Sequence, residues 1–505
     1  MAVTEILLLI LLPLLLLPIF LLYFLNKPTT SRLPPGPKGL PLIGNLLQLD
    51  YTNIAKHLWL LSQNYGPLMS LKIGSRPTLI ISSAEMAKQV LKTQDLEFCN
   101  RPLFAGPQRL SYNGIDLIFS PYGNYYREIR KICIVYLFNS NKMNSFRPIR
   151  EDEVSRMIGK ISKLAEESKP VNLTEHMMAL TSGLICRVAF GRRYEDGGSE
   201  AKRFHRLLNE TQFFFVAFFF SDYFPRFGWV LDKFSGMFSR LEKHFEEFDG
   251  FLQGLVDEQL NPNKEKPVSE RGNILDVLLQ FWKEDSIKDQ EFTLDHVKSI
   301  LLDVFVAGSD TSAAAVIWAM SFLMRRPELM KKAQDEVRNI VGNSGFVSDD
   351  DIQKLPYLKA VIKEIMRLQP TGPLLVPRET MQETNLGGFK IPEKTLVHIN
   401  AFAIGRDPDV WEKPLEFNPD RFMNSEIDMI GQNFELIPFG AGRRICPGII
   451  MGIANLELSL ANLLYKFNWE MPARMKREDI DLDRVLPGLA VHKKDHLFLV
   501  PKKHI

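Results

Sequence analysis

Cysteine is scarce and scattered in this chain: four residues in 505, at positions 99, 133, 186 and 446, with no CxxC pair. That pattern excludes a dense disulfide scaffold and a zinc ribbon. It fits a reducing compartment, where each thiol is by default a small buried hydrophobe. Net charge is small as well. The 62 Lys and Arg against 60 Asp and Glu leave +2, so the chain as a whole carries no electrostatic footprint for nucleic acid. There is no GxGxxG placed after a strand, no internal repeat, no low-complexity tract and no second linker past residue 41, so a second domain for flavin or NADPH is not expected. Tyr and Trp are few, 12 and 6 against 35 Phe, a balance that suits a large apolar cavity.

Charge is missing altogether from residues 6–25, ILLLILLPLLLLPIFLLYFL. Twenty such residues are about what a helix needs to cross a hydrocarbon core about 30 Å thick, and Pro13 and Pro18 are tolerated in a membrane helix. A cleaved signal peptide would want a basic stretch before the run and small residues after it. Here Glu5 precedes and Lys27-Pro28 follows, so an uncleaved single-pass anchor over 1–26 is expected. Lys27, Arg32 and Lys38 lie beyond the run, which holds the body of the protein in the cytosol by the positive-inside rule. The sequons at Asn172 and Asn209 are then idle. Residues 27–40 form a proline-rich hinge, since Pro34, Pro35, Pro37 and Pro41 cannot continue a helix. Residues 41–505 form one large domain.

Helical periodicity dominates residues 151–167, 233–261, 294–324 and 328–341, and strand-like pieces fall at 67–73, 78–82, 385–391, 396–400 and 497–500. The expected fold is mainly α with a minor β part. The run FFFVAFFF at 213–220, followed by Tyr223, Phe224, Phe227 and Trp229, leaves two readings open. It is a helix–helix core, or a loop that dips into the membrane interface and admits lipid-soluble compounds.

One cysteine stands in an exceptional frame, PFGAGRRICPG at 438–448. A thiolate bound to iron needs backbone close to a porphyrin, and Gly440, Gly442 and Gly448 permit that approach. Arg444 can reach a haem carboxylate as a charge-assisted partner, and Phe439 can shield the Cys446 sulfur from water and so tune the metal. A structural cysteine in a glycine turn does not require F-x-x-G-x-R-x-C-x-G.

This loop resembles the haem-binding loop of the cytochrome P450 superfamily, and the likeness runs from the proline hinge to the C-terminal strands. It implies the cytochrome P450 fold with one N-terminal transmembrane helix, haem b (iron protoporphyrin IX) as cofactor, and Cys446 as the metal ligand. In that family the thiolate pushes electron density onto iron and favours O–O cleavage. Residues 307–312, AGSDTS, lie in a long apolar helix where unpaired polar groups are costly. They resemble the family's oxygen-activation motif, with Gly308 leaving room for a diatomic ligand and Asp310 and Thr311 relaying protons. Glu364-x-x-Arg367 places both charges on one helix face. By position it resembles the family's pair, joined by Arg421, that fixes the fold around the haem, whereas Glu153-x-x-Arg156 and Glu200-x-x-Arg203 read as solvated surface pairs. Tyr126 and Arg130 in YYREIRK resemble the propionate-binding helix, with Tyr126 where Trp is more usual. Arg378 is a further propionate candidate, and a surface role stays open for both arginines.

The resemblance implies a haem-thiolate monooxygenase that inserts one atom of O2 into a small hydrophobic plant metabolite. Electrons would come from an NADPH-cytochrome reductase, the protein would sit in the endoplasmic reticulum membrane against lipid, and no nucleic acid is expected. Substrate contacts would come from residues 111–119, Val304, Ala307, 374–376 and 486–490, which are mostly apolar. Arg443 and Lys131 could steer the acidic reductase. The plant microsomal members are most alike, and segments 81–95 and 125–131 are similar to aldoxime-oxidising enzymes. Flavonoid, terpenoid or alkaloid substrates stay open. So do a non-oxygenating haem-thiolate isomerase or dehydratase, against which Thr311 counts, and a haem carrier.

Overall fold

The computed structural model describes residues 33–193, 198–261, 272–284 and 292–504. The expected anchor over 1–26 and the first part of the hinge lie outside the described residues. From Leu33 onward the hinge is strapped to the domain. Pro34 O accepts from Ser70 Oγ at 2.7 Å, Pro35 O from Ser70 N at 2.9 Å and Pro37 O from Asn45 Nδ2 at 3.0 Å. A Cβ on Gly36 would meet Ser70 O at 1.9 Å, so only glycine lets the strap press this close.

Helix α1 (Ile54–Tyr65) leads into strands β1 (Leu68–Ile73) and β2 (Arg76–Ile81). Then come α2 (Asn124–Ile132), α3 (Arg147–Glu166), β3 (Val171–Asn172), α4 (Leu173–Phe190), α5 (Ser199–Val216) and α6 (Met237–Leu260). Helices α7 (Leu294–Arg325), α8 (Pro327–Val341) and α9 (Pro356–Leu368) form the centre. Short strands β4 (Arg378–Glu379), β5 (Thr384–Leu386), β6 (Phe389–Ile391) and β7 (Leu396–Ile399) precede α10 (Ile449–Lys466). The chain ends with β8 (Phe467–Glu470), β9 (Val485–Leu486), β10 (His492–Lys493) and β11 (Phe498–Lys503). The largest sheet has the order β1-β2-β7-β4, with β2 and β7 parallel.

Two expected elements divide at glycines. The stretch 233–261 breaks at Gly236, where φ is +76°, so α6 starts only at Met237. The strand expected over 385–391 is the hairpin β5–β6, turned at Gly387 and Gly388 with φ of +57° and +80°, the geometry that a tight two-residue turn demands.

Helix α7 is the axis of the molecule. It is the one described helix long and apolar enough to cross a membrane, and 83% of that window is buried inside the protein, which makes it a core helix. Its first half joins a hydrophobic cluster with α2, α4, α5 and α6. Its second half joins another with α3, α4, α8, α9 and α10. The change of cluster falls between Val306 and Ala313.

The aromatic run divides between core and surface. Phe214, Phe215 and Phe219 are buried, whereas Phe213, Val216 and Phe218 are exposed, followed by exposed Phe227, Trp229 and Phe234.

Glu364, Arg367 and Arg421 meet under α9. Arg367 Nε and Nη2 donate to the two Glu364 oxygens at 2.7 and 2.8 Å, and Arg421 Nε donates to Glu364 Oε1 at 3.2 Å. The remaining Arg367 donors reach Gly405 O, Pro414 O and Glu416 O, so one buried cation ties the turn at 405 and the loop at 414–416 to α9. The surface reading of Glu153 needs correction. It is 1% exposed and accepts from Arg187 Nη1 at 2.8 Å, while Arg156 turns to Asp152. The spacing did not reveal which face of α3 is covered. Glu200 and Arg203 are exposed.

Arg367→Leu leaves the Glu364 carboxylate buried with its main partner gone and should cost about 3–5 kcal/mol. Lys331→Ala removes an exposed partner of Asp335 and should cost only about 0–1 kcal/mol. Unfolding midpoints of the two variants compare these costs, and equal losses would contradict the assignment.

Candidate functional site around Cys446

The Cys446 loop is a closed turn whose shape its glycines dictate. Cys446 N donates to Phe439 O at 3.0 Å. Gly442 has φ of +70°, and a Cβ there would meet Leu91 O at 2.1 Å. Gly440 also has a positive φ, whereas a Cβ at Gly448 would meet no protein atom within 4 Å, so protein packing alone does not demand glycine at 448. Phe439 lies against the start of α10, 3.6 Å from where a Cβ on Gly452 would stand. Cys99, Cys133 and Cys186 are buried, and Cys446 alone keeps accessible surface. Its dense surroundings push the thiol up, opposed by the Gly448 N–H and the Arg130 charge. Burial likewise pushes Cys99 up to about 11. None of these is a free thiolate nucleophile, whereas coordination to a metal ion would itself deprotonate Cys446.

Arginines converge on the same loop. Arg444 Nε and Nη2 donate to Cys99 O at 2.9 Å and Ser120 O at 2.7 Å, and its guanidinium lies 3.6 Å from the Tyr126 ring centre. Arg130 Nη2 donates to Ile445 O at 2.6 Å. Arg378 pairs with Asp95 at 2.9 Å and donates to Ala441 O. Tyr126 OH donates to Arg443 O at 2.9 Å, so this phenol supports the loop, and its only proton is already used. Sequence reasoning missed Arg101, which is 4% exposed and donates to Ile118 O, Val376 O and Pro377 O. Nothing in its local pattern marks it. Asp95, which also accepts from Arg443 N at 2.9 Å, was missed for the same reason.

This cluster has more positive than negative charge. Arg101, Arg130 and Arg444 are satisfied mainly by backbone carbonyls, and Arg444 Nη1 is buried without a partner. Burial, with mutual repulsion among Arg101, Arg378 and Arg444, lowers the pKa of Arg101 well below its ordinary value. A planar cofactor bearing two carboxylates and an iron that takes a thiolate fits these donors. Arg101, Arg130, Arg378 and Arg444 could hold its acids, and Cys446 its metal.

Helix α10, which begins three residues after Cys446, packs on α7. On α7, Ala307 is exposed and Gly308 and Thr311 are half-buried, while the neighbouring turns are buried. Thr311 Oγ1 donates to Ala307 O at 2.9 Å, a back-bond that suits a locally bent helix. Asp310 is turned elsewhere. Its Oδ2 accepts from Gln212 Nε2 of α5 and lies 3.4 Å from His492 Nε2 of β10. At Gly308 a Cβ would point at the Ile185 side chain of α4, 2.4 Å from Cδ1, so the missing side chain makes room for α4 packing. Ala307 is the small residue on the accessible face. Of the expected substrate contacts, Phe119, Val304, Val376 and Leu489 share one apolar cluster with Phe215, whose ring lies 4.9 Å from that of Phe119. Leu486 is exposed and stands apart from it.

With this geometry in place, comparison with known proteins gives a consistent answer. The cytochrome P450 family model matches residues 34–500. The chain is 48% identical over 496 residues to 6,7,8-trihydroxycoumarin synthase of Pastinaca sativa, with 96% of each chain covered. It is also 48% identical over 494 residues to 5-OH-xanthotoxin synthase of the same plant, again with 96% of each covered. A zebra fish cytochrome P450 solved with progesterone superposes with a TM-score of 0.74 at 26% identity, over 89% of this chain and 99% of that one. The chain belongs to the cytochrome P450 family. It is a haem-thiolate monooxygenase, and its cofactor is haem b.

Arg444→Gln removes a charge-assisted donor worth about 1.5–3 kcal/mol. It should speed haem loss to an acceptor apoprotein by about tenfold or more, whereas Arg443→Gln, at an exposed position, should not. Equal retention in both variants would remove Arg444 from the haem-holding set.

Proposed function

We propose that this monooxygenase hydroxylates flat, uncharged aromatic plant metabolites of the coumarin class, with Cys446 as proximal ligand and Thr311 and Asp310 as the proton relay. The observation that carries this reading is the accessible face that Ala307, Gly308 and Thr311 give α7 between two hydrophobic clusters, on the helix against which α10, just past Cys446, packs. Haem, when bound, supplies activation of O2 at its iron. The protein does the rest. Phe119, Phe215, Val304, Val376 and Leu489 exclude water and present no fixed charge, so they select a neutral ligand. The paired Phe119 and Phe215 rings offer π faces against which a fused aromatic system can lie. The two relatives named for coumarin-type products support that class.

Proton supply follows from two neighbouring residues with opposite surroundings. Thr311 presents its hydroxyl on the accessible face of α7. Asp310, held by Gln212 and His492, sits where protons can arrive from the β10 side. In this reading Asp310 takes up protons on the far side of the helix and Thr311 delivers them at the accessible face, a division of labour typical of general acid catalysis.

An NADPH-cytochrome reductase would supply electrons, with Arg443 and Lys131, both exposed, available to steer an acidic partner. Residues 1–26 would anchor the chain in the endoplasmic reticulum membrane with the domain in the cytosol. Exposed Phe213, Phe218, Phe227 and Trp229 would rest at the lipid interface, where aromatic side chains are favoured.

The reduced protein with carbon monoxide should show the red-shifted Soret band of a thiolate complex, and Cys446→Ser should lose it. Spin-state titration against coumarins, aldoximes, flavonoids, terpenoids and alkaloids should give its tightest response with coumarins. A tighter response to aldoximes would overturn the substrate class and favour the aldoxime-oxidising reading. Thr311→Ala should bind substrate normally but lower product formed per NADPH by roughly tenfold or more, with peroxide appearing instead. Unchanged coupling would exclude Thr311 as the relay.

A further inference from the structure

Residues 111–119, which form part of the proposed substrate chamber, are pinned to α7 by an unusual set of bonds. At one end Tyr112 OH donates to Asp249 Oδ1 of α6 at 2.6 Å, an oxygen shared with Lys298 Nζ of α7 at 2.6 Å. In the middle, Ile115 O accepts from Tyr125 OH at 2.5 Å and lies 3.2 Å from Ser299 Oγ. At the far end, one turn of α7 beyond Ser299, Asp303 Oδ2 accepts from Leu117 N at 2.7 Å. Both oxygens of Asp116 lie 3.0 Å from Phe119 N.

Asp116 is 0% exposed and Asp303 5%, and their carboxyls are within hydrogen-bonding reach of each other. Asp303 Oδ1 is buried and makes no hydrogen bond, with the Ile118 N–H the one other backbone donor near this carboxyl. Two ionised carboxylates in contact away from water repel strongly, and neither can donate to the other. A single proton resolves both problems.

We infer that Asp116 and Asp303 share one proton, and that this bond makes them positioning residues which clamp loop 111–119 onto α7 as a fixed wall of the substrate chamber. The inference rests on the proposed monooxygenase reading for what the wall encloses. The bond itself needs only the fold.

The electrostatic surroundings agree. Burial raises Asp116 to about 6, against the pull of the Phe119 N–H, Arg444 and Arg101. Burial and the Asp116 charge push Asp303 well above the ordinary carboxylate range. Near neutral pH, therefore, Asp116 carries the charge and Asp303 the proton, although the pair titrates as a unit. Tyr125 and Cys133, the other titratable groups facing Asp303, are themselves pushed up by burial and stay neutral. Lys298 is committed to Asp249 and Asp295. Because the folded pair holds a proton that the unfolded chain would release near pH 4, the clamp is present at neutral pH and lost as pH rises through the raised pKa.

Asparagine at 303 can replace the protonated acid atom for atom: its carbonyl accepts from Leu117 N and its amide donates to Asp116. Leucine can do neither. The test is hydrogen exchange of residues 111–119 in the haem-loaded protein between pH 6 and 9.5, corrected for intrinsic rates, in the wild type, Asp303→Asn and Asp303→Leu. Wild-type protection should fall by up to about tenfold per pH unit once the pair ionises. Asp303→Asn should stay protected throughout, and Asp303→Leu should be loose at every pH. The spectral affinity for xanthotoxin should follow the same order. Flat wild-type protection across the range, or an Asn variant as loose as the Leu variant, would overturn the shared proton. Should Asp303→Leu fail to fold, the comparison of wild type with Asp303→Asn still decides. Loss of the thiolate spectrum would sink the monooxygenase reading without touching the exchange result.

Discussion

In the proposed function helix α7 has to be two things at once: the buried strut on which both hydrophobic clusters are built, and the wall of a chamber in which a small molecule meets a cofactor. A strut wants continuous apolar packing, and a reaction wall wants a small, partly polar, accessible face. The helix resolves this conflict by position along its length. Residues before 307 bury in one cluster and residues after 312 in the other, and the turn between them carries Ala307 and Thr311 outward. Packing density in protein interiors leaves little slack, and the space at Gly308 is taken by the Ile185 side chain of α4. The geometry of the accessible face therefore depends on a contact made behind it.

The second constraint is charge. Arg101, Arg378 and Arg444 are buried close together, and Asp95 pairs with only one of the three. Such an arrangement is costly in a low-dielectric interior, which is why backbone carbonyls are recruited as partners for nearly every remaining donor. Those bonds draw residues 99–101, 118–120, 376–377 and 441–445 together, so the groups suited to hold haem also hold the protein around it. Haem acids held here would add the negative charge that this cluster is short of, and would so couple cofactor binding to the folding of the region.

Several features of the molecule are legible in its sequence. The Cys446 loop identifies itself because iron–thiolate coordination beside a porphyrin demands glycines and an arginine at set distances along a continuous turn. The mainly helical fold and the limits of α7 and α8 are legible from periodicity, which is also local. What is not legible shares one property: it depends on residues brought together from far along the chain. Arg101 has no local signature, and its neighbours Val376 and Pro377 lie 275 and 276 residues away in sequence. Glu153 looks like half of a surface pair because sequence spacing says nothing about which helix face another element covers. The role of Gly308 escapes its local pattern because the side chain that fills its space belongs to α4.

By itself, then, the sequence determined the chemistry available: a single framed cysteine, a threonine and an acid on an apolar helix, and a reserve of phenylalanine for an apolar chamber. Tertiary structure decided how that chemistry is arranged. It turned Asp310 toward Gln212 and His492 and left Thr311 on the accessible face of α7. It split the aromatic run between core and surface, and it set Asp116 against Asp303. Side-chain identity is a local property, whereas burial, charge pairing and the direction a group faces are set by which distant segments pack against it.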